Sequence, residues 1–189
     1  MSIPPKIPLG VESSIRDVLT YIGEDPTREG LLETPRRVMK SYSELYKGYT
    51  QDPASVFKVF EDGACDELVL LRDIEFVSMC EHHMLPFLGK AHIAYVPNGK
   101  IIGVSKLARL LEVFSRRLQV QERLGVQVTR ELDKHLKPLG SACILEAKHL
   151  CMIARGIQKQ NSVMVTSSLT GVFKKDPMAR AELMRLIGS

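Results

Sequence analysis

The chain has no tryptophan, and aromatic residues make up only 6% of its 189 positions. Surfaces that bind nucleic acid usually combine a strong basic patch with interleaved aromatic rings. The formal net charge is only +4, and no aromatic series accompanies it. The composition therefore gives no reason to expect a nucleic-acid partner.

Long apolar runs are also missing, and no segment approaches the roughly 20 residues that a membrane-spanning helix requires. The segment Ile3–Pro8 has neither the apolar core of a secretory signal nor the Arg/Ser character of a transit peptide. The hydrophobic fraction of 44% and the charged fraction of 25% are ordinary for a globular protein. We therefore expect a soluble, cytoplasmic protein without a membrane partner.

Cysteine is scarce, with four residues at Cys65, Cys80, Cys143 and Cys151. A disulfide framework is typical of small secreted chains, whereas this chain is large enough to bury a core and shows no secretory signal. Reduced thiols are the better interpretation. Two of the four cysteines lie within three residues of histidines, which suggests a metal site.

The segment Cys80-Glu81-His82-His83 places a thiolate and an imidazole three positions apart. We choose His83 over His82 because this spacing returns both side chains to one side of a turn. A third candidate ligand, Cys151, follows His149 by two residues. Two thiolates and one imidazole suit zinc and leave its fourth tetrahedral position for water, as in hydrolytic sites.

The alternative for two cysteines so far apart is that both are buried, reduced hydrophobic side chains. The histidine beside each cysteine makes this alternative less attractive. If Cys80, His83 and Cys151 hold a metal, His82 and His149 remain for proton transfer near neutral pH.

A second cluster, from Ser105 to Arg109, opens a predicted helix whose first N–H groups are free. Lys106 and Arg109 share one side of that helix and favour an anion such as phosphate. A solvated basic helix face is the alternative. Arg155, four residues after Cys151, adds a further positive charge.

A third cluster places Gln121 and Glu122 at a helix start after a basic run. A buried Glu122 could accept two hydrogen bonds from a guanine-like N–H edge, and the Gln121 amide both donates and accepts. The alternative is an acid that the helix dipole stabilises, and the residues alone favour that alternative.

The hydrophobic pattern predicts two N-terminal helices, one that Gly23 ends and one with Thr34 as N-cap and Pro35 at the next position, running to Gly48. Strands, helices and a turn are then predicted in this order: strands at 68–71, 74–77 and 90–96, a hairpin turn at 97–100 before a strand at 101–104, a helix capped by Ser105, a helix at 120–136, strands at 142–147 and 161–173, and a helix from Asp176–Pro177. This order favours an α+β fold, an antiparallel sheet with helices on one face. We expect a helical segment at 1–50 and a catalytic domain at 51–189.

Four stretches in this order resemble the GTP cyclohydrolase I family: Cys80–His83 with Leu85–Phe87, Ile102–Arg109, Arg116–Arg123, and His149–Met152 with Ala154–Gly156. The resemblance implies the tunnelling fold (T-fold) and a homodecamer in which two rings of five subunits stack on each other. It also implies active sites at the interfaces between subunits. It also implies conversion of GTP and water to 7,8-dihydroneopterin triphosphate and formate, the first step of folate or tetrahydrobiopterin synthesis. In animal members a regulatory protein mediates feedback, so such a partner is a further expectation.

The resemblance assigns zinc ligands (Cys80, His83 and Cys151), catalytic residues (His82 and His149, with Ser105 assisting a later step), a triphosphate-binding set (Ser105, Lys106, Arg109 and Arg155), a guanine-binding pair (Gln121 and Glu122) and a basic residue from a neighbouring subunit (Arg37). Two alternatives share the fold. One is a non-catalytic zinc- and nucleotide-binding protein, which a fourth protein ligand such as Cys143 would support. The other is an enzyme for a different purine-like substrate, against which the triphosphate set speaks.

Overall fold

A computed structural model describes residues 10–62 and 65–188 of the chain. The proline-rich segment Ile3–Pro8 lies outside the described residues. Two compact units are present, one ending at Lys47 and the other beginning at Gly48.

The N-terminal unit contains helix α1 (Val11–Tyr21), a 3-10 turn (Glu29–Leu31) and helix α2 (Thr34–Leu45). Glu33 occupies the N-cap position of α2, so the predicted cap at Thr34 is wrong by one residue. Pro35 is buried in the first turn, where its missing N–H breaks no helical hydrogen bond.

The second unit contains, in chain order, β1 (Val59–Phe60), β2 (Val69–Cys80), β3 (Pro86–Val96), β4 (Ile101–Ile102), α3 (Val104–Ser115), β5 (Leu118–Gln119), α4 (Gln121–His135), β6 (Gly140–His149), α5 (Leu150–Ile153), β7 (Met164–Leu169), α6 (Gly171–Lys175) and α7 (Pro177–Gly188). Two 3-10 turns, Lys47–Thr50 and Pro53–Val56, precede β1. None of the helices among the described residues is both long enough and apolar enough to cross a membrane.

The main sheet has the strand order β5-β2-β3-β6-β7. Strands β2, β3, β6 and β7 pair antiparallel, and the short β5 runs parallel to the end of β2. The two strands predicted around residue 72 form one strand, β2, whose register shifts between Leu71 and Ile74. Asp73 lies at this irregularity with φ 58°, which is why the alternating pattern is interrupted.

The predicted hairpin between β3 and residues 101–104 is wrong, because β4 pairs with β1 through Val59 and Ile102. Strand β3 already has β2 on one side and β6 on the other, so neither of its edges is free for β4. The predicted strand at 161–173 is also too long, since β7 ends at Leu169 and α6 follows it.

The main core lies between the sheet and helices α3 and α4. Strand residues on this face, such as Phe87, Ile93 and Leu145, pack with helix residues such as Leu110 and Val128. The alternation of side chains explains this division, since every second residue of a strand faces the same way.

The opposite face of the sheet is covered at one end by α6 and α7. Ala94, Ala142 and Ile144 lie on this face and pack with Phe173 and Leu183 of the two helices. The mixed α+β class is therefore confirmed, whereas the expectation of helices on a single face is wrong. These three strand residues are apolar, so their face also needs a cover from water.

Candidate active site

Three side chains at one end of the sheet could hold a metal ion. Cys80 is the last residue of β2, His83 follows in the β2–β3 turn, and Cys151 lies in α5 just after β6. The pairing of Phe87 in β3 with His149 in β6 brings the two segments together. One ligand atom from each of Cys80, His83 and Cys151 lies within 4.8 Å of the other two. The structure thus brings together the three residues that the sequence pattern selected.

The turn that carries His83 is closed by backbone hydrogen bonds on both sides of Cys80. The Met84 N–H donates to the Cys80 carbonyl over 2.8 Å, and the Cys80 N–H donates to the Leu85 carbonyl over 2.9 Å. Met84 adopts φ 53°, a left-handed conformation that L side chains rarely adopt. The close turn is what returns His83 to the side of Cys80.

Strand β5 and helix α4 both contact the same turn at Glu81. The Glu81 N–H donates to the carbonyl of Gln119 in β5 over 3.1 Å, and the Glu81 carboxylate forms an ion pair with Arg123 in α4. The hydrogen bond from Arg123 holds the pKa of Glu81 below its ordinary value. Sequence reasoning assigned Glu81 and Arg123 no role, because only the fold places residues 42 positions apart side by side.

Burial and the neighbouring Cys80 favour the protonated thiol of Cys151 when no cation is bound. Burial raises the pKa of Cys151, and the neighbouring Cys80 raises it further, against a smaller opposing effect of Arg155. Binding of a metal must therefore release protons, as thiolate ligation does generally. Arg155 also lies beside His83, with its Nη1 3.2 Å from the His83 Nε2.

The two histidines expected to transfer protons, His82 and His149, lie near this cluster in different surroundings. His149 is half-buried and stacks on Phe87, with ring centroids 4.6 Å apart and planes at 3°. Burial lowers the pKa of His149, and the charge of Glu122 opposes that effect. His82 is exposed, and its Nδ1 lies 3.9 Å from the Cys80 Sγ. Phe87 was not assigned a role from sequence, since the strand register that sets it opposite His149 cannot be obtained from spacing.

The guanine-binding pair expected at the start of α4 is split between two environments. Gln121 is buried, with 1% of its surface exposed, and its Oε1 lies 2.8 Å from the His149 Nε2. Glu122 is exposed in the single chain. Consecutive helical residues point in different directions, which is why only one of the two enters the core.

The residues expected to bind phosphate lie on α3 and, for Arg155, just after α5, and the basic residue expected from a neighbouring subunit lies in the N-terminal unit. Gly103 occupies the N-cap position of α3, so Ser105 is the second helical residue and the predicted cap is wrong. Ser105 and Arg109 are exposed on the first two turns, and Lys106 is partly exposed. Arg37 is exposed on α2 of the N-terminal unit.

Cys143 lies in the main core and not in the cluster. It is fully buried on β6, and burial raises its thiol pKa to about 12. His149, at the end of the strand, is six positions further along β6, roughly 20 Å away. Within residues 10–62 and 65–188, the group that could hold a metal consists of Cys80, His83 and Cys151. Cys143 is therefore too far from the cluster to be the fourth ligand that a purely structural zinc site would need.

The protein has a mixed α+β fold with three candidate metal ligands at one end of its sheet. These ligands can hold a metal ion beside two further histidines and leave one coordination position open. The family model for GTP cyclohydrolase I matches residues 11–188. The chain belongs to the GTP cyclohydrolase I family and is an enzyme, so the resemblance seen in the sequence is confirmed.

Relatives named GTP cyclohydrolase 1 cover nearly the whole chain. That of Wolinella succinogenes is 55% identical over 177 residues, which are 93% of this chain and 95% of the relative. That of Leptospira biflexa is 52% identical over 179 residues, 94% of this chain and 97% of the relative. Among solved structures, the apo form of the archaeosine synthase QueF-Like matches 55% of this chain and 93% of its own, with 13% identity and a TM-score of 0.46.

Proposed function

We propose that the protein is a zinc-dependent GTP cyclohydrolase I that converts GTP and water to 7,8-dihydroneopterin triphosphate and formate. The observation that carries the proposal is the cluster of Cys80, His83 and Cys151 in a chain whose relatives bear that name. The physiological product would feed folate or tetrahydrobiopterin synthesis.

The donor set fits zinc. Two thiolates about 2.3 Å from a tetrahedral zinc lie about 3.8 Å apart, and the ligand atoms here all fall within 4.8 Å of one another. Cys80, His83 and Cys151 would hold the ion and leave one position open. When bound, zinc supplies Lewis acidity that lowers the pKa of water to near neutrality.

The surrounding residues supply proton transfer. We assign His149 to protonation of N7 as the imidazole ring of GTP opens at C8, because its ring is held in a fixed plane by Phe87. His82, exposed beside Cys80, would transfer a proton at the ribose oxygen or the formyl intermediate. After formate leaves, the ribose carbons rearrange in an Amadori-type step that Ser105 assists, and the pteridine ring closes.

Substrate binding uses the remaining residues. Lys106, Arg109 and Arg155 would hold the triphosphate by charge-assisted hydrogen bonds and so fix the base. Glu122 would accept hydrogen bonds from the N1–H and 2-amino groups of guanine. The adenine of ATP has neither of these donors. The resemblance adds Gln121 on the guanine and Arg37 from a neighbouring subunit.

Assembly belongs to the same proposal. We propose the tunnelling fold and a homodecamer of two stacked rings, each of five subunits. Glu122 and Arg37 are exposed in the single chain, and we propose that they lie at sites shared between neighbouring subunits. A cytoplasmic location and a regulatory protein partner stay predictions from the sequence and the family resemblance.

The decisive experiment incubates zinc-loaded protein with GTP and measures formate together with the fluorescence of the oxidised pterin. A chelated sample is the control. Formate and pterin in the loaded sample alone support the proposal, and formate without pterin restricts the activity to ring opening and hydrolysis. Neither product, from assembled and zinc-filled protein, contradicts it and favours a non-catalytic zinc- and nucleotide-binding protein.

Two substitutions separate catalysis from recognition. His149→Ala is expected to bind GTP normally and to lose turnover by at least about 100-fold, the scale of general acid–base catalysis. Glu122→Gln is expected to weaken GTP binding and its discrimination from ATP. Equilibrium nucleotide binding and formate release measure the two effects, and normal values of both in both variants contradict the assignments.

A further inference from the structure

We propose that Gln121 acts through His149, as a positioning residue, and not on the guanine base. It accepts a hydrogen bond from the Nε2–H of His149 and so fixes the tautomer and the orientation of that ring. The inference rests on the proposed function, and it replaces the role in guanine binding that the family resemblance implies for Gln121.

The orientation of the Gln121 amide is fixed by its neighbours. Its Nε2 lies 3.1 Å from the carbonyl oxygen of Leu145, 3.0 Å from that of Met164 and 3.2 Å from the hydroxyl oxygen of Thr166. Carbonyl oxygens only accept hydrogen bonds, so the atom facing them must be the NH2 group. A flipped amide would place an oxygen against two carbonyl oxygens.

This orientation determines which nitrogen of His149 carries hydrogen. The Gln121 Oε1, now fixed as an acceptor, lies 2.8 Å from the His149 Nε2. A hydrogen bond over that distance requires an N–H on Nε2. In the neutral imidazole the other nitrogen, Nδ1, then carries no hydrogen and is the acceptor of the ring.

The ring of His149, the ring of Phe87 and the amide of Gln121 are each held in place by their contacts. Gln121 has 1% of its surface exposed and links the start of α4 to β6 and to β7. Phe87, fully buried, stacks on the His149 ring at 4.6 Å and 3° and sets its plane. A buried amide that lost these partners would leave unsatisfied polar groups, which are costly, so the side chain does not rearrange easily.

The same contacts argue against a role on the base. The two amide hydrogens of Gln121 already face three acceptors within the protein. A hydrogen bond from this amide to an oxygen or nitrogen of guanine would break one of these buried bonds. Glu122, exposed on the next position of α4, has its carboxylate free of that constraint.

A double-mutant cycle tests the proposal with Gln121→Met, His149→Ala and the combined variant, each zinc-loaded and checked by thermal unfolding. Gln121→Met is expected to lower kcat by about 10- to 100-fold in the presence of His149, a part of what general acid–base catalysis contributes. In the His149→Ala background it is expected to change kcat by less than about twofold. Multiplicative effects would overturn the inference.

Nucleotide affinity supplies the second readout, with Glu122→Gln as the matched control from the neighbouring position. GTP binding to chelated protein, which does not turn over, is expected to be unchanged in Gln121→Met and weakened in Glu122→Gln. An equal loss in both variants places Gln121 on the base and overturns the inference. If Gln121→Met fails to fold, Thr166→Val removes one acceptor of the amide and is expected to lower kcat a few-fold with GTP affinity unchanged; an unchanged kcat contradicts the proposal.

A third readout does not depend on activity. The 15N spectrum of histidine-labelled, zinc-loaded protein, with the His149 signals assigned by their loss in His149→Ala, is expected above neutral pH to show a protonated Nε2 and an unprotonated Nδ1. The opposite tautomer overturns the inference whether or not GTP is turned over. Absence of turnover in the wild type, with the expected tautomer, instead overturns the proposed function alone.

Discussion

The four cysteines show how strongly the surroundings of one residue type decide its chemistry. Cys65 is exposed, Cys143 is completely buried among apolar side chains, and Cys80 and Cys151 face each other across the candidate metal centre. A thiol reacts and binds metals as the thiolate, so these environments predict different behaviour for the same side chain.

Cys143 is expected to make the protein less stable at alkaline pH. Its thiol has an ordinary pKa near 9.0 when the chain is unfolded and a pKa of about 12 in the fold, because burial disfavours the thiolate. Between these values the folded state holds more protons than the unfolded state. The free energy of unfolding therefore falls as pH rises from about 9 to about 12, by at most about 1.4 kcal/mol per pH unit.

Urea unfolding of the wild type and Cys143→Ala at pH 8, 9.5 and 10.5 measures this contribution. The variant starts lower because of the small cavity that the substitution leaves, but its stability should decline less steeply with pH. Parallel declines in the two proteins would show that Cys143 does not ionise on unfolding as expected.

At the scale of elements, the start of α4 connects the two segments that form the site. Arg123 holds Glu81 in the β2–β3 turn, and Gln121 holds His149 at the end of β6. A rigid helix that contacts both segments limits their relative movement, and preorganised ligands bind metals with less entropic cost.

Arg123→Gln is expected to weaken metal binding several-fold while leaving stability nearly unchanged. The ion pair with Glu81 is largely exposed, so solvent screens it and it contributes little to folding. Its loss frees the turn that carries His83. Competition between the protein and a chromophoric chelator for Co2+ or Zn2+ measures the change.

Arg130→Gln is the matched control, since Arg130 is exposed two turns further along α4. The control variant should bind the metal like the wild type. Equal metal affinities for both variants would show that the contact between α4 and the turn does not hold the ligands.

Gly89→Ala is expected to disrupt the pairing of β3 with β6. Gly89 lies opposite Ala147, and a Cβ atom there would meet the backbone carbonyl of Glu146. Backbone atoms in a sheet cannot yield as a flexible side chain can, so we expect a loss of at least about 2 kcal/mol in the free energy of unfolding.

Gly125→Ala in α4 provides the contrast for this prediction. A Cβ at Gly125 would meet its neighbours only at ordinary contact distances of 3.6–3.8 Å. Alanine also favours the helix by up to about 1 kcal/mol over glycine, so this variant should be as stable as the wild type or more stable. Urea unfolding compares the two variants, and a larger loss in Gly125→Ala would contradict both expectations.

For the molecule as a whole, we expect the main core to persist without a metal. It is built mainly from apolar side chains of the strands and of α3 and α4; of the three candidate ligands, Cys80 belongs to it and Cys151 packs against it. The protein should therefore resemble a folded scaffold with an added metal site more than a zinc finger, which unfolds without its ion.

Chelation is expected to lower the thermal midpoint without unfolding the protein at 25 °C. A metal present at 100 times its Kd stabilises the folded state by about 2.7 kcal/mol, and chelation removes that amount. Calorimetry gives the midpoint, and far-UV circular dichroism at 25 °C shows whether the helices persist. A helical signal lost on chelation would mean that the metal is required for folding.

Several elements could be predicted from sequence because their signals are local. Helix α4 begins and ends within one residue of its predicted bounds, since Pro138 and the apolar period mark it clearly. Strands are predicted on both sides of the Cys80–His83 turn because residues 68–71 and 74–77 are rich in apolar, strand-forming side chains and residues 90–96 alternate.

Other features could not be predicted because they depend on partners far along the chain. Strand β4 cannot pair with β3 because β2 and β6 occupy both edges of β3. That arrangement is a property of the whole sheet. The role of Gln121 depends on carbonyl groups of β6 and β7, which spacing in the sequence does not reveal. Family resemblance supplied the list of site residues but not their contacts.

The contacts that orient Gln121 beside His149 also limit when this part of the molecule can form during synthesis of the chain. Gln121 takes its orientation from Met164 and Thr166, which follow it by 43 and 45 residues. Closing such loops is slow compared with forming a helix or a turn, because the entropy of the intervening chain must be lost first. Synthesis of β7 is therefore the step after which a growing chain can complete the contacts of Gln121, and a chain truncated before residue 164 would carry every candidate metal ligand but only one of the three acceptors that orient the Gln121 amide.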